Sequence, residues 1–200
     1  MTKEKGATTE TKKMKIPEIK RALRAHDKED LISILIDCYK QSNDVKNYIH
    51  VLLNPEEATE ELYQKSKKQI LHEFFPERGY SKMRYSVARK AISEFKNYSK
   101  DELRTIDLMI YYVEVGVEFT NTYGDIDERF YDSMESMYEN VTNKIKGKVD
   151  LYKKFKYRLE AIVKKTSGVG WGFHDDLFFI YNELEMGLRD YETKVNPGDE

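Results

Sequence analysis

Two carboxylates are the residues best placed to do chemistry. Glu114 and Glu118 lie four positions apart in a segment that is otherwise apolar, with Leu108-Met109-Ile110-Tyr111-Tyr112-Val113 before them and Val115-Gly116-Val117 between them. At helical spacing the two share a face, and Asp107 and Asn121 extend that stripe by about one to two turns. Like charges at this spacing repel by a few tenths of a kcal/mol in water, and burial raises the cost steeply unless a cation, a basic side chain or a proton answers them. The pair therefore suits a cation or acid/base site, or else a seam of ion pairs to Lys and Arg on flanking helices. By chain order the further ligand candidates are Asp125 and Asp127, just past Gly124, and Trp171, His174 and Asp175 in the segment that follows Gly170.

The spacing limits what this set can be. A ferritin-like di-iron bundle needs Glu-x-x-His, and none of His26, His50, His72 and His174 has a Glu three positions before it. Asp125-Ile126-Asp127 lacks the Gly and closing Glu of an EF-hand, so helix capping accounts for it more simply. Gly168-Val169-Gly170-Trp171-Gly172 has no preceding strand and no P-loop lysine. Asp175 and Asp176 also put negative charge where a bound phosphate would sit, so Trp171 and Phe173 read as anchors of the last helix. His174 is expected to be a hydrogen-bonded structural imidazole, and Cys38 a buried, inert thiol. No metal and no cofactor is assigned.

Charge is distributed in blocks. Residues 78–100 hold 7 Lys/Arg and 1 Asp/Glu, residues 101–139 hold 2 and 11, residues 140–165 hold 9 and 2, and residues 166–200 hold 2 and 8, although the whole chain carries only −2. Successive antiparallel helices that set complementary faces side by side would produce this pattern, each exposed pair contributing about 0–1 kcal/mol. The sharper alternative is a basic patch built on Arg84, Arg89 and Lys90, with Tyr80 and Tyr85 interleaved. The acidic block that follows would repel a polyanion, so nucleic acid is not the expected partner.

These residues require helices to position them. Apolar residues recur at three and four positions, Gly numbers 10 and Pro 4 in 200 residues, and no stretch alternates as a strand does. Caps and breakers predict helices near 16–25, 28–40, 43–53, 55–74, 84–98, 99–124, 125–147, 149–166 and 173–191, with a loop at about 75–82. Asp27 and Ser42 read as caps, as do capping boxes at Ser99-Lys100-Asp101-Glu102 and Asp125-Ile126-Asp127-Glu128. The segment with Glu114 is apolar almost all round, so its helix should be central. The fold class is all-α: eight to nine antiparallel-packed helices, as a bundle or a short solenoid-like stack, in one domain over 15–192 with disordered tails at 1–14 and 193–200. A lone cysteine suits a reducing, cytoplasmic compartment, and no run approaches the roughly 20 apolar residues of a membrane span.

Several strings together resemble an uncharacterised bacterial domain-of-unknown-function family of small helical proteins. They are Phe74-Phe75-Pro76, Ala88-Arg89-Lys90-Ala91-Ile92-Ser93-Glu94-Phe95-Lys96, Tyr112-Val113-Glu114, Gly116-Val117-Glu118-Phe119-Thr120-Asn121, Tyr123-Gly124-Asp125-Ile126-Asp127 and Gly170-Trp171-Gly172-Phe173-His174-Asp175. The resemblance spans about residues 16–185 and implies a cytosolic helical protein, with no catalytic or binding residue attached. Fifteen Tyr residues, amphipathic contact makers by nature, lead to a non-enzymatic helical interaction or regulatory domain, with a protein partner or self-association expected, as the first reading of function. The alternative is an enzyme or cation-binding protein that uses a buried Glu114/Glu118 pair with His174 and Asp175.

Overall fold

A computed structural model describes residues 13–195, with side chains as far as Leu188; of the tails expected at 1–14 and 193–200, residues 1–12 and 196–200 lie outside the described residues. Among those residues are nine helices and no strand: α1 (Ile16–Leu23), α2 (Lys28–Gln41), α3 (Asn43–Leu53), α4 (Pro55–Phe74), α5 (Tyr85–Ser99), α6 (Glu102–Tyr123), α7 (Glu128–Ile145), α8 (Val149–Lys165) and α9 (Phe173–Val195). The all-α architecture read from the sequence is present. The last helix runs four residues past the expected end, so 193–195 are helical and not part of a tail. None of the helices is long and apolar enough to cross a membrane.

Caps explain most boundaries. The Asp27 carboxylate accepts the amide of Asp30 at 2.9 Å, and Ser42 Oγ accepts that of Val45 at 3.4 Å, as the sequence predicts. Both predicted capping boxes are displaced by two residues. Asp101 caps α6, accepting from Arg104 at 2.9 Å, and Asp127 caps α7, accepting from Phe130 at 2.8 Å. Ser99 instead closes α5, its hydroxyl donating to the Phe95 carbonyl at 2.9 Å, with Lys100 in the left-handed region at φ 56°. In each box a second capping residue, Asp101 or Asp127, competes with the first, Ser99 or Asp125, and the carboxylate nearer the helix makes the bond to its positive end.

The chain divides into two compact units, Met1–Ile49 and His50–Glu200, where the sequence suggests one domain; the boundary falls inside α3. In the first unit α1, α2 and α3 bury no residue and form no extended packing with one another. Their apolar residues keep the helical period yet stay exposed: Ile16, Ile19 and Leu23 on α1, Ile32, Ile34, Leu35 and Ile36 on α2, and Tyr48 on α3. Cys38, expected to be buried, is exposed with the rest of α2.

In the second unit α6 is central, packing against α4, α5, α7 and α8, while α9 packs against α7 and α8. Its hydrophobicity nearly all round its circumference is the reason, since its polar face is only the narrow stripe of Asp107, Glu114, Glu118 and Asn121. Gly116 lets α7 approach: a Cβ there would stand 2.1 Å from Sδ of the buried Met134. Phe74 is the hub of an aromatic core, its ring centroid 5.7 to 6.4 Å from those of Tyr85, Tyr112, Phe119 and Phe130, mostly edge to face. The cluster continues through Tyr131 to Phe173, 4.9 Å away, and so ties the start of α9 to the rest.

Candidate functional site

Glu114 faces α8, and what lies opposite it is Arg158. Nε and Nη2 of that guanidinium donate to the two carboxylate oxygens of Glu114 at 2.7 Å each, a fork-on-fork pair. The remaining guanidinium nitrogen, Nη1, donates to Asp107, which also accepts the hydroxyl of Tyr63 from α4. One arginine thus answers two of the three carboxylates of the stripe, Asp107 and Glu114, and links α4, α6 and α8. Partial burial opposes the charge of Arg158, but the bonds to Glu114 and the charges of Glu114 and Asp107 outweigh it and hold its pKa above the ordinary value. Burial, then the bond to Asp107, pushes the Tyr63 phenol well up.

Glu118 is 60% exposed and sits 3.9 Å from the ammonium of Lys165, so the pair expected to be buried is a half-buried Glu114 and an exposed Glu118. Of the two sequence readings, the ion-pair seam to a flanking helix is the one the geometry displays. Beside it is a cavity of about 420 Å³ with an apolar floor that includes Leu71, Phe75, Val115 and Ile162 and a charged rim of Glu114, Glu118, Arg158 and Lys165. His174 and Asp175 are not among its lining residues. The Thr166 hydroxyl donates to the Val163 carbonyl at 2.7 Å, which leaves its oxygen to accept the Nδ1–H of His174 at 3.0 Å. That imidazole, stacked on Phe178, joins the end of α8 to the start of α9 as a structural group.

The other candidates also divide. Asp127 is occupied as a cap, and Asp125 lies against the glycine loop, where a Cβ on Gly170 would stand 3.8 Å from its carboxylate. Trp171 is 63% exposed at φ 64° and lies over the Tyr131 ring. Among the described residues no three His, Cys, Asp or Glu side chains are grouped as metal ligands. The basic patch is not one surface. Arg84 is bound to Glu73 and Arg89 turns toward α7, donating to the Ser133 carbonyl at 3.2 Å, while exposed Lys90 faces Glu94 at 3.4 Å. Two of the three cations are consumed within the fold, and helical periodicity sends the third elsewhere.

Two features escaped the sequence reading. Glu73, at the end of α4, is only 2% exposed, and its carboxylate accepts from Nη2 and Nε of Arg84 at 2.7 and 2.9 Å. Its backbone carbonyl accepts from Ser81 Oγ at 2.8 Å and Met83 N at 3.0 Å, so this one residue shapes the loop between α4 and α5. The Arg84 bonds hold its carboxyl below the usual range against the opposing effect of burial.

The second is a cavity of about 440 Å³ between α7 and α9, lined by five carboxylates, Asp132, Glu135, Glu139, Asp176 and Glu183, and one cation, Lys146, with Phe179 and Ile180. Burial, followed by the charges of Asp176 and Asp132, pushes Glu135 up to about 6. Complementary charge blocks do meet where α8 faces α6 and α9, through Arg158 to Glu114 at 2.7 Å and Lys156 to Glu185 at 3.6 Å. The two acidic blocks nevertheless meet as well, because α9 packs on α7. Block order along the chain carries information on sequential neighbours, and α7 and α9 are not sequential.

No curated protein and no solved structure gives a match to this chain. A family model does match it over residues 14–185, nearly the whole described region, and the chain belongs to that family, the family of unknown function DUF6155.

Proposed function

We propose that the chain is a non-enzymatic helical interaction domain whose contact surface is carried by α1–α3. One observation supports the reading: three amphipathic helices of 8, 14 and 11 residues that bury no residue and form no extended packing with one another. Helices of this length are marginal alone in water and take their stability from packing of an apolar face, so these faces need a partner to cover them. A reducing, cytoplasmic setting suits the exposed thiol of Cys38 on α2. The test is a photo-crosslinking residue placed in the full chain at Leu35, on the apolar side of α2, and at Lys40 as the polar control. An adduct from position 35 and none from position 40 is expected. Silence at position 35 in cells that accumulate the protein overturns the reading.

A second reading, small-molecule binding at the cavity beside Glu114 and Glu118, is favoured by its apolar floor and the loose 3.9 Å pairing of Glu118 with Lys165. A zwitterionic ligand with an apolar body fits that lining. A thermal-shift screen of apolar amino acids and short peptides, repeated on Glu118→Gln, tests it; hits that the substitution leaves unchanged would place the ligand elsewhere.

A further inference from the structure

We infer that the partner covering α1 and α2 is a second copy of this chain, with α1 of each copy laid along α2 of the other. The inference rests on the interaction reading above and adds to it the identity and register of the partner.

Charge is the first argument. From Lys15 to Arg24 the segment of α1 carries Lys15, Lys20, Arg21 and Arg24 against Glu18, four positive and one negative, a net of +3. From its cap Asp27 to Gln41, α2 carries Asp27, Glu29, Asp30 and Asp37 against Lys28 and Lys40, four negative and two positive, a net of −2. A two-fold interface is self-complementary: if α1 of one copy meets α2 of the other, the converse contact forms as well, and each +3 faces a −2 twice over. A foreign partner has no reason to match both halves of this pattern, whereas the chain itself matches it.

Placement on the helices agrees. On α1, Lys20 and Arg24 occupy the edge of the Ile16, Ile19, Leu23 stripe, four residues and one turn apart. On α2, Asp30 and Asp37 occupy the edge of the Ile34 and Leu35 stripe, seven residues and two turns apart. All four side chains are exposed. Asp30 meets His26 at 3.4 Å and Asp37 meets Lys40 at 3.5 Å, both exposed neighbours within the same unit, and such pairs contribute little and yield readily to a better partner.

Area is the second argument. The seven exposed large apolar side chains of α1 and α2, Ile16, Ile19, Leu23, Ile32, Ile34, Leu35 and Ile36, offer roughly 600 Å², the larger part of the about 800 Å² that each partner contributes to a stable interface of standard size. The apolar arc of α2 is wide, from Ile34 through Leu35 and Ile32 to Ile36, so a helix of a second copy can seat along it.

The experiment uses the full chain, with light scattering after size exclusion at roughly 100 μM, where a micromolar complex is populated. A dimer is expected. Lys20→Glu with Arg24→Glu makes both segments negative, and Asp30→Lys with Asp37→Lys makes both positive, so each variant alone should weaken dimerisation at least about tenfold. An equimolar mixture of the two variants should restore a dimer containing one of each, which also shows that both are folded. A dimer indifferent to both sets of changes, or two weakened variants whose mixture fails to pair, overturns the α1-on-α2 register. A wild-type monomer that still gives the position 35 adduct with another protein, or that co-sediments with anionic vesicles, overturns the second copy as partner. The adduct with another protein leaves the interaction reading standing. A monomer with no adduct overturns both.

Discussion

The two units use the same amphipathic code to different ends. In α4–α9 most of the apolar period is consumed internally: Phe74, Tyr112, Phe119 and Phe130 meet ring against ring, although Phe178, Phe179 and Met186 of α9 stay exposed. In α1–α3 the same period produces three helices whose apolar residues face outward. A hydrophobic stripe specifies that something must cover a helix, and only chain length and topology decide whether that cover lies within the fold. A unit of 49 residues is near the lower limit of what can enclose a core of its own.

The widest gap between the units should appear on truncating one large apolar side chain in each. Phe74→Ala removes the aromatic hub and should lower the unfolding free energy of the second unit by about 4 kcal/mol in a urea titration. Leu35→Ala, measured on dilute protein, should stay within about 0.5 kcal/mol. A loss at Leu35 approaching that at Phe74 would mean that α2 has a core of its own and erase the contrast.

Glu73→Gln comes next, with an expected loss of about 2 kcal/mol at pH 7. It takes the charge from a buried acceptor of three bonds and leaves Arg84, half exposed, to find water. Because the folded pKa of Glu73 is depressed, its contribution is present above the ordinary carboxylate range and is lost as pH falls through the folded value. Wild type and variant should therefore converge in strongly acidic urea melts, and a gap that persists unchanged there would assign the effect to shape and not to charge.

The smallest effect has the opposite sign. Glu135 is raised from 4.5 to about 6, so its ionisation costs stability as pH rises through that window. Glu135→Gln should stabilise the chain by about 1 kcal/mol at pH 8, after allowance for solvent screening, and by nothing measurable at pH 4. Equal stability at pH 8 would show that the α7/α9 carboxylates are screened from one another.

The helices were legible because the apolar period and the caps are local, and the centrality of α6 was legible because a helix whose only polar face is a narrow stripe has one destination. The partner of Glu114 was legible only as a class, a basic side chain on a flanking helix, since Arg158 lies 44 positions away and nothing in the chain ranks it above Lys164 or Lys165. Arg84, Arg89 and Lys90 look alike as letters, and only the surroundings separate a cation held by a buried glutamate from one left in water. The acidic cavity was hidden for a related reason: Glu135 and Asp176 come together through a pairing of α7 with α9 that skips α8. Burial of Cys38 was expected from its apolar neighbours, a rule that holds only for a helix with a core to enter.

The single tryptophan has an optical consequence. Trp171, at the turn into α9, lies with its ring 6.4 Å from that of Tyr131, and both belong to the second unit. Emission excited at 295 nm, roughly the red edge where tyrosine no longer absorbs, therefore reports that unit alone, while far-ultraviolet circular dichroism sums the helices of both. Separate midpoints from the two signals would resolve the units without cutting the chain.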